Sequence, residues 1–439
     1  MKILAAALAI LVLIICGIAA EAQNDISFSN GYYYINGEKT FLKGVGYEVG
    51  AVPGQLPWER EFDEGLLRFD MERILSAGFN SIRTWAAFTE EELEVIDDYE
   101  IYVIMGIWID PHGDFSNPSF VAEARDIVEE VMAYSQNFDN IVGYLIMNEP
   151  LPETVFSAGY DHTVQLWNEL TGIIHDMHPG VPVSMANTPN GTYIDPLVFD
   201  FSAYNVYIYN PVTVNLSHGY AAYAEYLQQL RTDDGPLIYT EFGLSVSPEG
   251  PGSWGYGGNT LQEQQEGDLF MYRAAIDGGA AGAFMFNYSD GWWKSGNEYV
   301  HDPYPEEWFG LIEYQDLSDK YGQPRPIWDA CANYNRAIIT EPKNGRIYIH
   351  KVPVEIFAGG DVQAAQVTED GNVVFNSIIT GNYFADSIIF TGNAKDRTLI
   401  FKFFDAGYNL LKEESITVLT ADGPVDMPVL TISTSIEEW

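Results

Sequence analysis

Two hydrophobic spacings alternate between residues 41 and 340. Continuous apolar runs of strand length occur at Phe41–Tyr47, Phe79–Trp85, Tyr102–Asp110, Ile141–Glu149, Val181–Asn187, Phe199–Tyr207, Pro236–Gly243 and Gly282–Asp290. Between them lie Leu66–Ala77, Glu90–Tyr99, Phe120–Gln136, His162–Met177, Tyr220–Leu230 and Leu261–Gly278, with a last segment at Pro326–Ala337. In these segments apolar side chains return every three to four residues, the spacing of an amphipathic helix. Apolar strands alternating with helices predict a parallel sheet covered on both faces. Eight such strands in roughly 300 residues predict a closed (β/α)8, or TIM, barrel.

The pattern differs at both ends. Residues 26–40 alternate aromatic and polar positions around Asn30-Gly31 and Asn36-Gly37, which predicts a short hairpin across the barrel floor. From about residue 341 the helical spacing stops. Short alternating runs, Val373–Ile379, Asp386–Phe390, Thr398–Phe404 and Glu414–Leu419, predict a small all-β sandwich. Lys2, the apolar stretch Ile3–Ala20 and Ala20-Glu21-Ala22 have the form of a secretory leader. The expected division is therefore a signal peptide at 1–22, a barrel at 23–340 and an accessory sandwich at 341–439, with a secreted or extracellular location. An uncleaved leader would leave the chain anchored at a membrane.

Composition narrows the function classes. The chain of 439 residues carries 63 acidic against 21 basic residues, a formal net charge of −42. Phosphate and anionic lipid would be repelled, so nucleic acid is not an expected partner and no membrane contact is expected beyond the leader. So much acid on a secreted chain is expected to suit a saline habitat. Outside the leader there is one cysteine, Cys331, so no intrachain disulfide is expected and the fold rests on its core. Asp110 and His112 are spaced like two metal ligands but lack a third. No metal or cofactor is expected. The composition gives no oligomeric state. The glycosylation-type triplets at Asn190, Asn215 and Asn287 are short enough to arise by chance.

The candidate chemistry lies where two apolar runs end. Ile146-Met147-Asn148-Glu149-Pro150 closes the fourth run and Tyr239-Thr240-Glu241-Phe242-Gly243 the seventh. A barrel builds its active site at the C-terminal ends of its strands. Burying a lone carboxylate costs several kcal/mol unless it is paired or neutralised. Two carboxylates facing each other across a sugar are what a glycosidase needs, and a retaining one holds them about 5–5.5 Å apart.

On Asn148-Glu149-Pro150 and Thr240-Glu241-Phe242-Gly243, the chain resembles the retaining glycoside hydrolases of clan A. Phe41-Leu42-Lys43-Gly44-Val45 after the hairpin is similar to the start of family 2 and family 5 barrels. The resemblance spans residues 28 to about 338. It implies Glu149 as acid/base and Glu241 as nucleophile. It further implies Asn148 on the sugar 2-hydroxyl, Arg83 beneath the nucleophile, Tyr207 donating to it, and Trp292 or Trp293 as a sugar-stacking floor. Asn205-Val206-Tyr207 is nearer to the Asn-x-Tyr of family 2 than to the His-x-Tyr of family 5. Tyr47, Trp85, Trp108, Asp110, His112 and Asp290 also stand at or near strand ends, as candidates to line subsites. The function implied is hydrolysis of O-glycosyl bonds in a neutral β-linked oligo- or polysaccharide of glucan or mannan type. Two alternatives remain open. One is a β-glucan transglycosylase, since the fungal-type enzymes share a similar start to the barrel. The other is a catalytically silent carbohydrate-binding surface protein.

Overall fold

The structure, a computed structural model, describes residues 24–209, 219–392 and 394–421. The leader at 1–22 and Asn215 lie outside them. Eight parallel strands close a barrel in chain order: Leu42–Gly46, Ser81–Arg83, Tyr102–Ile107, Ile141–Asn148, Val183–Asn187, Ser202–Asn205, Leu237–Phe242 and Gly282–Met285. Each falls inside one of the eight apolar runs. The runs overshoot because their last residues turn out of the sheet into the loops of the C-terminal face.

Helices wrap the barrel at Glu64–Ser76, Glu90–Ile96, Pro118–Ser135, Tyr160–Met177, Tyr220–Gln229, Leu261–Asp277 and Pro326–Asn335. Local chemistry sets their starts. Before Leu261–Asp277 the Thr260 hydroxyl accepts from the Glu263 N–H, and the Glu263 carboxylate accepts from the Thr260 N–H. Thr89 and Glu92 make the same reciprocal cap, and such a cap contributes about 1 kcal/mol. Only 3-10 turns, Pro189–Gly191 and Pro196–Val198, join the fifth and sixth strands among the described residues. Among these residues no helix is long and apolar enough to cross a membrane.

The barrel interior is filled rather than hollow. Leu42, Ile104, Val142, Leu145, Phe201, Ile238 and Phe284 form one buried cluster inside it. Gly44 makes room for this layer, since a Cβ there would lie 2.1 Å from the Phe284 ring. Tyr33 and Ile35 join the same cluster from below. They belong to a three-stranded meander, Ile26–Ser29, Tyr32–Ile35 and Glu38–Thr40, in place of a single hairpin. Both Asn-Gly pairs have positive φ throughout, as tight hairpin turns require.

The C-terminal unit is a sandwich of two sheets. One is ordered Ala337–Glu341, Lys351–Ala358, Tyr383–Ile389. The other is ordered Ile347–Ile349, Leu410–Ala421, Lys395–Phe404, Ala364–Glu369, Asn372–Ile378. Its first strand begins at Ala337 rather than at 341, directly after the last barrel helix. Val352, Val354, Ile356, Leu399, Phe401 and Val418 fill its interior. It is firmly joined to the barrel. Lys39 pairs with Glu355 at 2.9 Å, Arg273 with Glu414 at 3.2 Å, and Lys412 donates to the Tyr334 carbonyl. Phe357 reaches across to pack with Phe41 and Tyr32.

Candidate active site

The fourth strand departs from regular geometry where its glutamate sits. Its pairing with the fifth strand shifts between Leu145 and Asn148, and Met147 and Glu149 take φ of 78° and 53°. A bulge re-aims the side chains beyond it. Left-handed backbone at a non-glycine residue costs of order 1–3 kcal/mol and persists where surrounding structure enforces it. The seventh strand is irregular on both edges at the same height. Its register shifts between Tyr239 and Glu241 against the sixth strand and between Tyr239 and Phe242 against the eighth. The two irregularities bring Glu149 and Glu241 to the wall of one cavity.

Three donors converge on Glu241. Arg83 Nη1 and Trp85 Nε1 each donate to Oε1 at 2.8 Å, and the Tyr207 hydroxyl donates to Oε2 at 2.7 Å. Both partners of the Arg83–Glu241 ion pair are buried. The guanidinium lies 4.0 Å from the centroid of the Trp85 ring, so the indole covers one of its faces. Arg83 Nη2 also donates to Asn148 Oδ1 at 2.6 Å and so ties the second strand to the fourth.

Glu149 is held differently. Its Oε1 accepts one hydrogen bond, from Asn205 Nδ2 at 2.7 Å. Thr240 Oγ1 donates to Asn205 Oδ1 at 2.7 Å, which fixes the direction of that amide. Burial pushes the Glu149 carboxyl up to about 7, the Glu241 charge adds to the rise, and Asn205 and Arg83 oppose it. A carboxyl whose proton affinity is raised by burial stands beside one held by three donors. Two carboxyl groups in such unlike surroundings match the acid and nucleophile roles.

The cavity around them is about 670 Å³, and a second of about 490 Å³ adjoins it. Glu149, Glu241 and a third carboxylate, Glu306, border both. Glu306 accepts from the Tyr256 hydroxyl at 2.6 Å. Lys294 lies in the first cavity, 3.6 Å from Glu48 and 4.3 Å from the Phe286 ring centroid.

Arg83, Trp85, Asn148, Glu149, Tyr207 and Glu241 thus form one connected group. Of the two adjacent tryptophans, Trp293 borders the cavity and donates to Glu48 at 3.3 Å. Trp292 is buried behind it, stacked on His301. Trp108 is half exposed on the rim. Tyr47 gives the cavity part of its ring, while its hydroxyl turns away to Asp70 at 2.8 Å. Asp290 is fully buried and holds Arg325 through two bonds of 2.8 and 2.7 Å, so it braces the loop after the eighth strand and does not face the cavity. Asp110 is exposed and accepts from the His112 N–H in a turn, away from the group. Among the described residues no set of three or more His, Cys, Asp or Glu is placed to hold a metal ion. Asn287 is buried, which closes it to glycosylation.

The sequence marks Asn205 only as part of the Asn-x-Tyr motif, with no role of its own, and does not mark Glu48, Trp58, Tyr256, Lys294 or Glu306 at all. Asn205 had a usable signal, as a polar residue ending an apolar run. The others stand on loops, where no periodicity marks them.

No protein-family model matches the chain, and no curated protein matches it. Solved structures do. A Bacteroides uniformis β-glucuronidase 2, covalently bound to cyclophellitol-6-carboxylate aziridine, superposes with a TM-score of 0.57 at 14% identity, over 90% of this chain and 48% of its own. A β-glucuronidase from Ruminococcus gnavus in complex with D-glucuronic acid gives 0.56 at 17%, over 71% of this chain and 52% of its own. The chain therefore spans about half the length of these enzymes. At such identity the likeness establishes the shared fold, a TIM barrel with β-sandwich structure.

Proposed function

We propose that this protein is a retaining β-glycoside hydrolase, with Glu149 as acid/base and Glu241 as nucleophile. The observation that carries the reading is the pair itself. Two glutamates from the fourth and seventh strand ends border one cavity, one with its pKa raised to about 7 and the other gripped by Arg83, Trp85 and Tyr207. In the first half of the reaction Glu241 attacks the anomeric carbon while Glu149 gives its proton to the departing oxygen. In the second half a water loses a proton to Glu149 and displaces Glu241 from the sugar. Two inversions leave the β configuration unchanged. Asn148, held by Arg83, would meet the sugar 2-hydroxyl.

The substrate proposed is a neutral β-linked glycan. The solved neighbours are β-glucuronidases, but an anionic sugar here would meet Glu48, Glu149, Glu241 and Glu306. The two surface-side cations of this cavity are already matched, Lys294 by Glu48 and Arg60 by a two-point bond to Glu92. The apolar leader-like segment supports an extracellular location.

The test uses a panel of aryl β-glycosides and soluble β-glucans and β-mannans. Glu241→Ala should lose turnover and recover part of it with azide, yielding an α-glycosyl azide. Glu149→Ala should keep more activity on aryl substrates with good leaving groups than on the glycans, because those need less protonation. Equal losses on both classes would remove Glu149 as the acid.

A further inference from the structure

The reaction fixes which bond breaks but not where along a glycan it lies. An enzyme that trims chain ends needs a blind pocket on one side of its carboxylates. An enzyme that cuts within chains needs open ground on both sides. We propose, building on the hydrolase reading, that this protein cleaves inside β-linked chains, with sugars seated on both sides of Glu149 and Glu241 and a further subsite at Trp58.

Three observations converge. Among the described residues both cavities border Glu149 and Glu241, so the carboxylate pair stands between two spaces and not at the bottom of one. The larger, of about 670 Å³, is walled by the loops after the first, second, third and eighth strands. That volume is in the ~300–1,000 Å³ range of sites that enclose a multi-ring ligand. The smaller opens toward Thr188, Tyr209 and Tyr256, beyond the fifth and sixth strands.

The larger space also continues outward. Trp58 and Arg60 border it and border a third cavity of about 490 Å³, which runs on to Phe62 and Glu90. Three cavities are thus linked one to the next, the middle one sharing wall residues with each neighbour.

Exposed aromatic rings follow these linked cavities. Trp58 is 64% exposed, Trp108 49% and Phe62 42%. Trp58 stands edge-on to Trp293 with ring centroids 5.2 Å apart, which steadies it although it is open to solvent. At the other end Tyr209 lies against Tyr207 and Tyr256, at 5.4 and 5.5 Å. An apolar surface rimmed by polar groups marks a ligand groove. Flat rings at intervals along it suit the apolar faces of successive sugars and need no charge on the ligand.

The experiment uses aryl β-oligosaccharides of a sugar that the enzyme hydrolyses, with and without a 4,6-O-ketal on the non-reducing end. Cleavage of capped and free substrates at comparable rates is expected, because a chain that runs through the site leaves its end outside. On the matching soluble polysaccharide, viscosity should fall steeply while few reducing ends have formed. Trp58→Ala should lower the ratio of kcat/KM on a hexasaccharide to that on a disaccharide about tenfold, the order of one lost ring contact. Turnover of free substrates with inert capped ones, and monosaccharide as first product, would overturn internal cleavage. An unchanged length ratio in Trp58→Ala would overturn the outer subsite. Failure to hydrolyse any member of the panel would instead remove the hydrolase reading, and the inference with it.

Discussion

The acid/base role proposed for Glu149 would depend on a charge that the proposed reaction itself removes. Glu149 is pushed up to about 7 chiefly by burial and next by the charge on Glu241. At the ~5.5 Å separation of a retaining pair and an effective dielectric near 20, two carboxylates repel by about 3 kcal/mol. That is about two pH units on the proton affinity of Glu149. Replacing Glu241 by Gln keeps the shape and deletes the charge. The Glu149 carboxyl should then titrate clearly below 7, with burial still raising it and Asn205 and Arg83 still opposing that rise. Carbon-13 NMR on carboxyl-labelled glutamate would follow it, with Glu149→Gln identifying the resonance. In the unaltered protein, the proposed hydrolysis of glycans should show a kcat/KM that falls as pH rises through about 7, because protonated Glu149 is being lost. A Glu149 titration that stays at 7 or rises in Glu241→Gln would refute the coupling. The same arithmetic fits the second half of the proposed reaction: with a sugar esterified to Glu241 the charge would be gone, and Glu149 would be an ionised carboxylate able to take a proton from water.

Two further outcomes test the structure away from the chemistry. Asp290→Ala leaves the Arg325 guanidinium without its buried partner and should destabilise the fold by about 3–5 kcal/mol in urea unfolding; a loss below about 1 kcal/mol would contradict the bracing role. With a formal net charge of −42, the melting temperature should rise with sodium chloride as the Debye length shrinks from about 30 Å at 0.01 M to about 3 Å at 1 M. A flat or falling curve would argue against self-repulsion and against a saline habitat.

The barrel was legible because its strands are buried on both faces and carry apolar residues without interruption. Leu237–Phe242 is such a strand, entirely buried over its length. Glu149 and Glu241 were legible for the opposite reason, as charged residues ending such runs. Residues that act through loops left no comparable trace. Glu306 stands in a 3-10 turn at Pro305–Trp308 and Trp58 in another at Pro57–Glu59, and neither has a repeating neighbour pattern. Asp290 misled because strand-end position does not fix orientation: with Arg325 on the far side, its carboxylate turns inward to the cation. In the sandwich, Lys351–Ala358 alternates well but carries Pro353, which argues against a central strand. The register resolves the conflict. Pro353 lies opposite Ser387 on one side, while the pairing on the other ends at Glu355, so no hydrogen bond is asked of the missing N–H there.

The seam between barrel and sandwich bears on how such a chain can evolve. Phe357 and Ile338, both from the sandwich, belong to the same buried cluster as the outer barrel core, and Lys39–Glu355 and Arg273–Glu414 flank it. A module strung on a flexible tether can be traded between unrelated enzymes without notice to either. Here a foreign sandwich would arrive without the aromatic plug that Phe41 and Tyr32 rest against, and the barrel would inherit a hole in its own floor. Barrel and sandwich should therefore travel through lineages as a single heritable piece, their contact residues changing in step.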